Sequence, residues 1–225
     1  MKVIARIHTD FKEKFGIPRQ SGLVEELEGI IVFEPEFRNV DALRGIDGFS
    51  HIWLLWEFSE HIKRSWSPTV RPPRLGGKER IGVFATRSPF RPNPIGLSSV
   101  RLLGVEKHET WGMVLRVAGA DLMDGTPIYD IKPYLPHIDS HPEATGGFST
   151  DVKDYRLRVE CDNCILDKLP EKKRSPLLEV LANDPRPAYH EDTSRIYGMN
   201  FAGYEVKFRV AEGRLTVVGI NGDLS

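Results

Sequence analysis

Apolar and polar residues alternate in short runs along the first 120 residues. The pattern is clear in KVIARI, GIIVF, SHIWLLWEF, RIGVFATR, LSSVRLLGV and WGMVLRVAG. A period of two residues puts every second side chain on one face of a strand, so these runs predict strands that each bury one face. Turn residues separate them, which favours a sheet curled into a barrel or sandwich. One segment, NVDALRGIDGF, predicts a short helix instead, capped by Asn39 or Asp41.

The pattern changes after about residue 125. The stretch that follows is rich in Pro, Gly, Ser, Asp and His, which predicts a surface excursion or a domain boundary near residue 145. Beyond it, DYRLRVE predicts a strand, SPLLEVLAND predicts a helix that begins at Ser175 with Pro176 in its first turn, and YEVKFRV with RLTVVGI predicts a hairpin. We therefore expect a mainly β protein, with a β-barrel over residues 1–145 and a small α+β domain over residues 146–225.

Several classes of function are disfavoured by what the sequence lacks. No apolar run reaches the roughly 18 residues that span a bilayer, and the N-terminus does not match a signal peptide, so we expect a cytoplasmic protein. No glycine-rich dinucleotide motif, P-loop or G-x-S-x-G motif is present. Cys161 and Cys164 form a lone CDNC without a second ligand pair, and His137 and His141 fall in a predicted loop, so we expect no metal.

Positive charge is concentrated in one part of a nearly neutral chain. The net charge is −1, yet residues 71–101 carry six arginines and one lysine against a single glutamate, a local net charge of +6. Arginines suit bidentate contact with phosphate or carboxylate, although a merely solvated face is the alternative. Within this part, GVFATRSPFRPNPIGLS (Gly82–Ser98) has three prolines that hold Ser88, Arg91 and Asn93 extended. The stiff loop would present its polar groups at low entropic cost.

Two further segments place polar residues on turns. FGIPRQSG carries Arg19 and Gln20 just after a proline, and LMDGTPIYDIKPYLP contains a DGTP turn signal. Asp121, Asp124 and Asp130 lie close together in and beside that second segment and could line a polar pocket. A plain turn and exposed turn aspartates are the alternative interpretations.

Taken in order, FKEKFGIPRQSG, SHIWLLWEF, RPPRLGGKERIGVFATRSPFRPNPIGLS and DLMDGTPIYDIKPYLP resemble the TsaA-like, or TrmO, family over about residues 3–140. NDPRPAYH resembles the C-terminal region of its bacterial members. The resemblance implies a non-Rossmann β-barrel enzyme that uses S-adenosylmethionine and acts as a homodimer. It also implies methylation of N6 of N6-threonylcarbamoyladenosine at position 37, in the anticodon loop of tRNA.

The resemblance turns the polar segments into candidate sites. S-adenosylmethionine offers an adenine edge, hydroxyls, a carboxylate and an ammonium, which call for polar side chains, an arginine and an acid. The candidate cofactor-binding residues are Pro18, Arg19, Gln20, Arg87, Arg91, Leu122, Met123, Asp124, Gly125 and Thr126. The candidate substrate-binding residues, for phosphates, the threonyl carboxylate and unpaired bases, are Arg71, Arg74, Asn93, Arg186 and Tyr189.

Methyl transfer depends mainly on alignment, so the candidate catalytic residues, Arg87, Arg91 and Asp124, are those expected at the reacting groups. Arginine stays protonated and cannot act as a base. If the N6 proton needs a base, Asp124 or Asp130 is a candidate, and the sequence does not choose between them. Two other functions remain open, namely a non-catalytic RNA-binding barrel and a methyltransferase of this fold that acts on another substrate.

Overall fold

The computed structural model describes residues 1–61, 65–72, 79–152, 155–186 and 192–222. Eight strands lie in the first part of the chain: β1 (Ala5–His8), β2 (Glu28–Phe33), β3 (His51–Glu57), β4 (Thr69–Val70), β5 (Ile81–Gly82), β6 (Ile95–His108), β7 (Gly112–Ala118) and β8 (Thr126–Pro133). Six of them close into an antiparallel ring in the order β1-β2-β7-β6-β3-β8. β4 and β5 pair separately.

The alternation of the sequence explains which side chains fill the ring. In β3, Ile52, Leu54 and Trp56 are buried while the residues between them are partly exposed. They pack in one cluster with residues of the other ring strands, such as Leu115 and Ile128. The predicted strands of the ring are therefore confirmed, because a period of two buries one face of each.

Two local predictions in this part differ from the structure. NVDALRGIDGF forms two short 3-10 helices, Val40–Leu43 and Ile46–Gly48, because Gly45 between them has a φ of +84° that interrupts a helix. Asn39 does cap the first one, since its side chain accepts a hydrogen bond from the Asp41 N–H. RIGVFATR keeps only the two residues of β5 as strand, then bends through a 3-10 helix at Val83–Ala85.

The second part of the chain contains α1 (Pro136–Asp139), β9 (Arg158–Glu160), α2 (Asn163–Leu166), α3 (Glu171–Ala182), β10 (Tyr197–Phe201), β11 (Tyr204–Ala211) and β12 (Arg214–Asn221). The sheet order is β10-β11-β12-β9, with β9 parallel to β12. The predicted hairpin is confirmed as β11 and β12. α3 begins four residues before the predicted Ser175, because Pro170 starts the helix and the charged residues after it are good helix formers.

The connection between β1 and β2 belongs to the core of the second sheet. Phe11, Val24 and Leu27 are buried in the same cluster as Phe201 of β10 and Leu177 of α3. This connection also carries Pro18, Arg19 and Gln20. The turn that holds these three residues is therefore fixed between the ring and the second sheet.

Candidate functional site

Three separate segments converge on the carboxylate of Asp121, which is partly exposed. The Ser98 hydroxyl, at the start of β6, donates a hydrogen bond to Asp121 Oδ1 over 2.6 Å. The backbone N–H of Ser21, from the connection between β1 and β2, also donates to this carboxylate, and the positive charge of Arg87 acts on it. The proline-rich loop, the PRQ turn and the segment before β8 thus meet at one anion.

Ser98 is itself held by a second buried group. The indole N–H of Trp56, on β3, donates to Ser98 Oγ over 2.9 Å. Ser98 is almost fully buried and Trp56 is 8% exposed, so the two hydrogen bonds that join the indole, the hydroxyl and the carboxylate start inside the ring. Because the hydroxyl has one proton, the indole donor leaves that proton for Asp121. The hydrogen bond from the buried Ser98 hydroxyl therefore fixes the orientation of the Asp121 carboxylate.

The surroundings of Asp121 raise the pKa of its carboxyl above the ordinary value of 3.8. Burial is the main cause, since removing a charge from water disfavours the ionised form. The hydrogen bonds from Ser98, from its own backbone N–H and from Ser21, together with the charge of Arg87, oppose that rise. The site contains an anion that is partly desolvated yet hydrogen-bonded.

Arg87 and the PRQ turn are in direct contact. The Arg87 guanidinium donates to Oε1 of Gln20, and the Gln20 amide donates to the carbonyl of Arg19. Arg19 reaches in the opposite direction, since its Nη2 donates to the carbonyls of Asp184 at 3.3 Å and Arg186 at 3.1 Å. The turn therefore links the proline-rich loop to the C-terminal part of the chain.

The segment after Asp121 forms a tight turn in which most predicted cofactor residues have structural contacts. Leu122 is buried in the ring core, and its carbonyl accepts from the Thr9 hydroxyl. The Met123 carbonyl accepts from the N–H and hydroxyl of Thr126. Gly125 has a φ of +76°, which the turn requires.

Asp124 is tied to β1 and the residue that follows it. Its Oδ1 accepts from the Thr9 N–H and lies 3.1 Å from Nδ1 of His8. That His8 ring stacks on Trp111. Asp130, the other base predicted as an alternative, accepts from the Ile131 N–H and pairs with Lys132 at 2.8 Å. Asp124 is thus engaged with the end of β1, and Asp130 is engaged with neighbours in its own strand.

Residues 71–101, the segment of high positive charge, contain further predicted site residues. Arg91 is partly buried and donates to the carbonyl of Thr86 over 2.7 Å, so it braces its own loop. Asn93 and Arg71 are exposed. The predicted substrate residues Arg74 and Tyr189 lie outside the described residues.

Arg186 is held in a nearly enclosed ion pair. Its Nε and Nη2 donate to the two oxygens of Asp184 at 2.8 and 2.9 Å, and the Tyr155 hydroxyl donates to the same carboxylate. The two side chains are 14% and 10% exposed. In this conformation Arg186 shapes the segment that Arg19 contacts.

Sequence reasoning grouped Asp121 with the pocket acids but missed Ser98 and Trp56. A signal for Ser98 was present, because it occupies an inward position of β6 between Gly96 and Val100, where an apolar residue is expected. A polar side chain at such a position needs a partner. Trp56, at an inward position of the paired strand β3, supplies one.

Metal-binding groups, disulfides and membrane-spanning helices are absent from the part of the chain that the structure describes. There, no three His, Cys, Asp or Glu side chains lie together as a metal-binding group. Cys161 and Cys164 are both free thiols. Among the same residues, no helix has the length and apolar character needed to cross a membrane.

Similar proteins cover both parts of the chain. A relative from Escherichia coli (strain K12), named tRNA (adenine(37)-N6)-methyltransferase, is 42% identical over 225 residues, covering 96% of this chain and 95% of that protein. A relative of the same name from Eikenella corrodens is 47% identical over 174 residues, covering 76% and 97%. The crystal structure of TrmO from Pseudomonas aeruginosa matches with a TM-score of 0.77 at 33% identity, covering 99% of both chains.

Family models agree with these relatives. The model of the tRNA-methyltransferase O N-terminal domain matches residues 6–140, and the model of the TrmO C-terminal domain matches residues 155–223. The first match contains the ring and the residues around Asp121, and the second contains the second sheet. The resemblance found in the sequence motifs is thereby confirmed, and the chain belongs to the tRNA-methyltransferase O family.

Proposed function

We propose that the chain transfers a methyl group from S-adenosylmethionine to N6 of adenine 37 in tRNA, and that the base it modifies is N6-threonylcarbamoyladenosine. The activity at adenine 37 follows from membership of the family together with relatives that carry that name over nearly the whole chain. The structural observation that carries the proposal is the convergence of the three polar segments on Asp121. A fold that served only as a scaffold would have no use for a partly desolvated carboxylate there.

The side chains around Asp121 fit the cofactor chemically. S-adenosylmethionine carries a carboxylate, an ammonium and an adenine with donor and acceptor edges, and when bound it supplies an electrophilic methyl group. Arg87 offers a guanidinium for the cofactor carboxylate and Gln20 an amide for its adenine edge, and these two side chains are in direct contact beside Asp121. We propose that the pocket lies between the PRQ turn and the turn of residues 122–126.

The protein's part in catalysis is to align and to exclude water. The turn of residues 122–126 is closed by its own hydrogen bonds, and the PRQ turn is held by contacts on both sides, so neither has to be ordered when ligands bind. Pre-ordered groups lower the entropic cost of bringing the two reactants into line. The positive charge of a sulfonium fades during transfer, so desolvation favours that step over the separated reactants.

The basic loop is proposed to hold the tRNA. Residues 71–101 carry a net charge of +6, and Arg71 and Asn93 are exposed there. Exposed polar side chains on a segment of this charge suit the phosphates of the anticodon loop and the threonyl carboxylate of the modified base. The segment that contains Arg186 adjoins the PRQ turn through Arg19, which favours a role for residues 146–225 in placing the tRNA.

Three finer features belong to the same proposal. We propose that the six-stranded ring is the family's β-barrel and serves as a non-Rossmann cofactor domain over residues 1–145. We propose a homodimer, because Trp66 and Phe84 are 52% and 74% exposed and would be covered by a second copy. A location in the cytoplasm follows from the proposed tRNA substrate.

The proposal is tested with purified protein, S-adenosylmethionine and two samples of one tRNA, with and without N6-threonylcarbamoyladenosine at position 37. Nucleoside mass spectrometry should find one added methyl group on the threonylcarbamoyl base and none in the unmodified tRNA. Methylation of a different nucleoside would show that the proposed target base is wrong. Calorimetry without heat of S-adenosylmethionine binding, together with tRNA binding, would instead indicate the non-catalytic RNA-binding function.

A further inference from the structure

We propose that Asp121 is the general base that takes the N6 proton of the target base, an inference that rests on the proposed function. N6 of the threonylcarbamoyl base carries one hydrogen, so its methylation must release a proton. In the balanced step, a bond forms between N6 and the methyl carbon as the bond from that carbon to sulfur breaks and its electron pair stays on sulfur. The N6 proton passes to a carboxylate oxygen of Asp121, which becomes a carboxylic acid and later returns the proton to solvent.

The contacts of the other two acids exclude them from this role. Asp124 uses Oδ1 to hold the Thr9 N–H and His8, so it fixes the end of β1. Asp130 is 44% exposed, and its two oxygens already have partners in Lys132 and the Ile131 N–H. Asp121 alone of the three lies where Gln20 and Arg87, from the two other polar segments, come together.

Hydrogen bonds hold the Asp121 carboxylate in one orientation, which a general base needs in order to meet the proton it accepts. Ser98 and the Ser21 N–H fix the carboxylate, and Trp56 fixes Ser98, so the oxygen that receives the proton has a set direction. The positive charge of Arg87, on the proline-rich loop, acts on the same carboxylate and lowers its pKa against the effect of burial. Partial exposure leaves a path for the substrate.

The balance of these groups suits proton transfer. Burial raises the pKa of the Asp121 carboxyl, which brings its basicity nearer to the working pH than that of an exposed aspartate. The hydrogen bonds and Arg87 limit the rise, so the carboxylate remains available to accept a proton. A carboxylate that is partly desolvated and also hydrogen-bonded combines raised basicity with a fixed direction.

The central test compares Asp121→Asn with the unchanged protein on the threonylcarbamoyl tRNA. General bases contribute about 10²- to 10⁴-fold, so kcat should fall by roughly that factor. The dissociation constant of S-adenosylmethionine, measured by calorimetry, should change by less than about threefold. An active Asp121→Asn together with an inactive Asp130→Asn would assign the proton to Asp130 and overturn the inference.

The pH profile separates a base from a cofactor ligand. In the unchanged protein kcat should rise with pH as Asp121 ionises, and the residual rate of Asp121→Asn should lack that acid limb. Ser98→Ala removes a hydrogen bond that lowers the pKa of Asp121, so it should move the acid limb to higher pH. A weaker cofactor affinity in Asp121→Asn with kcat retained would show instead that the carboxylate binds the cofactor.

Thermal unfolding gives a readout that does not depend on turnover. Because the folded-state pKa of Asp121 is raised, its contribution to stability is complete below the unfolded pKa and is lost as pH rises through the folded value. Asp121→Asn should therefore melt no lower than the unchanged protein at neutral pH, with the difference shrinking in acid. A much lower melting temperature would mean that the carboxylate is structural. Failure of the unchanged protein to methylate either tRNA would refute the proposed function rather than the role of Asp121.

Discussion

Gly96→Ala should destabilise the ring and disturb the site at once. Gly96 is buried in β6 directly opposite Trp56 of β3, and the flat indole occupies the space that a side chain would need. A Cβ added at Gly96 would overlap the indole ring and would lie 2.6 Å from Cδ2. Trp56 is 8% exposed and packs on Phe58, so it has little room to withdraw.

The magnitude follows from the cost of overfilling a packed core. Such changes cost about 1–3 kcal/mol in the free energy of unfolding. For a chain of this size each kcal/mol lowers the melting temperature by about 2–4 °C, which gives a fall of roughly 2–12 °C. If the indole moves, its hydrogen bond to Ser98 is lost and Asp121 loses its fixed direction. Displacement of this order is expected to lower kcat by roughly 10- to 100-fold.

The assay has a matched control in the same strand. Gly104 also lies in β6, but a Cβ there would meet no atom within 4 Å. Gly104→Ala should therefore melt close to the unchanged protein and keep its activity. Calorimetric melting and methylation rates are compared for the two variants. Equal melting temperatures would refute the claim that the close fit of Gly96 to Trp56 stabilises the ring.

Three further changes probe other parts of the molecule. Asp184→Asn leaves the enclosed guanidinium of Arg186 without its anion and should cost about 3 kcal/mol in a denaturant melt, while asparagine tolerates the φ of 52° at that position. Burial raises the pKa of Tyr129 from 10.0 to about 12, so its hydroxyl should ionise late in an ultraviolet titration. The stability that the neutral hydroxyl contributes is complete below pH 10.0 and is lost as pH rises through about 12. Tyr129→Phe should not show this loss. Arg91→Ala should lower the rate of methyl transfer at least tenfold, while the free energy of unfolding falls by about 1 kcal/mol. Turnover equal to that of the exposed control Arg44→Ala would contradict a role for Arg91 in the site.

The strands were predictable because one face of each is buried, but their closure was not. Ring closure depends on which strands pair, and the 14 residues of β6 are divided between β3, which pairs with Ile95–Arg101, and β7, which pairs with Arg101–His108. Register also shifts between Leu55 and Trp56, where β3 meets β8. These are long-range choices that alternation alone does not encode. The sequence therefore predicts the elements of the ring rather than their order around it.

The candidate site was predicted at the level of segments, and its side chains were harder to assign. The PRQ turn, the proline-rich loop and the segment from Asp121 to Thr126 do meet, as their polar residues indicated. From the sequence, Asp124 and Asp130 were the candidate bases and Asp121 only a possible pocket residue, because turn signals do not encode where each carboxylate points. The direction of each side chain follows from the fold, which aims Asp124 at β1 and Asp121 at Ser98.

The PRQ turn is in contact with both parts of the chain. Its flanking residues are buried with the second sheet, while Gln20 contacts Arg87 beside the ring. Arg19 then joins the turn to the carbonyls of Asp184 and Arg186. Two hydrogen-bonded residues, Arg19 and Gln20, therefore connect the C-terminal part of the chain with the groups around Asp121.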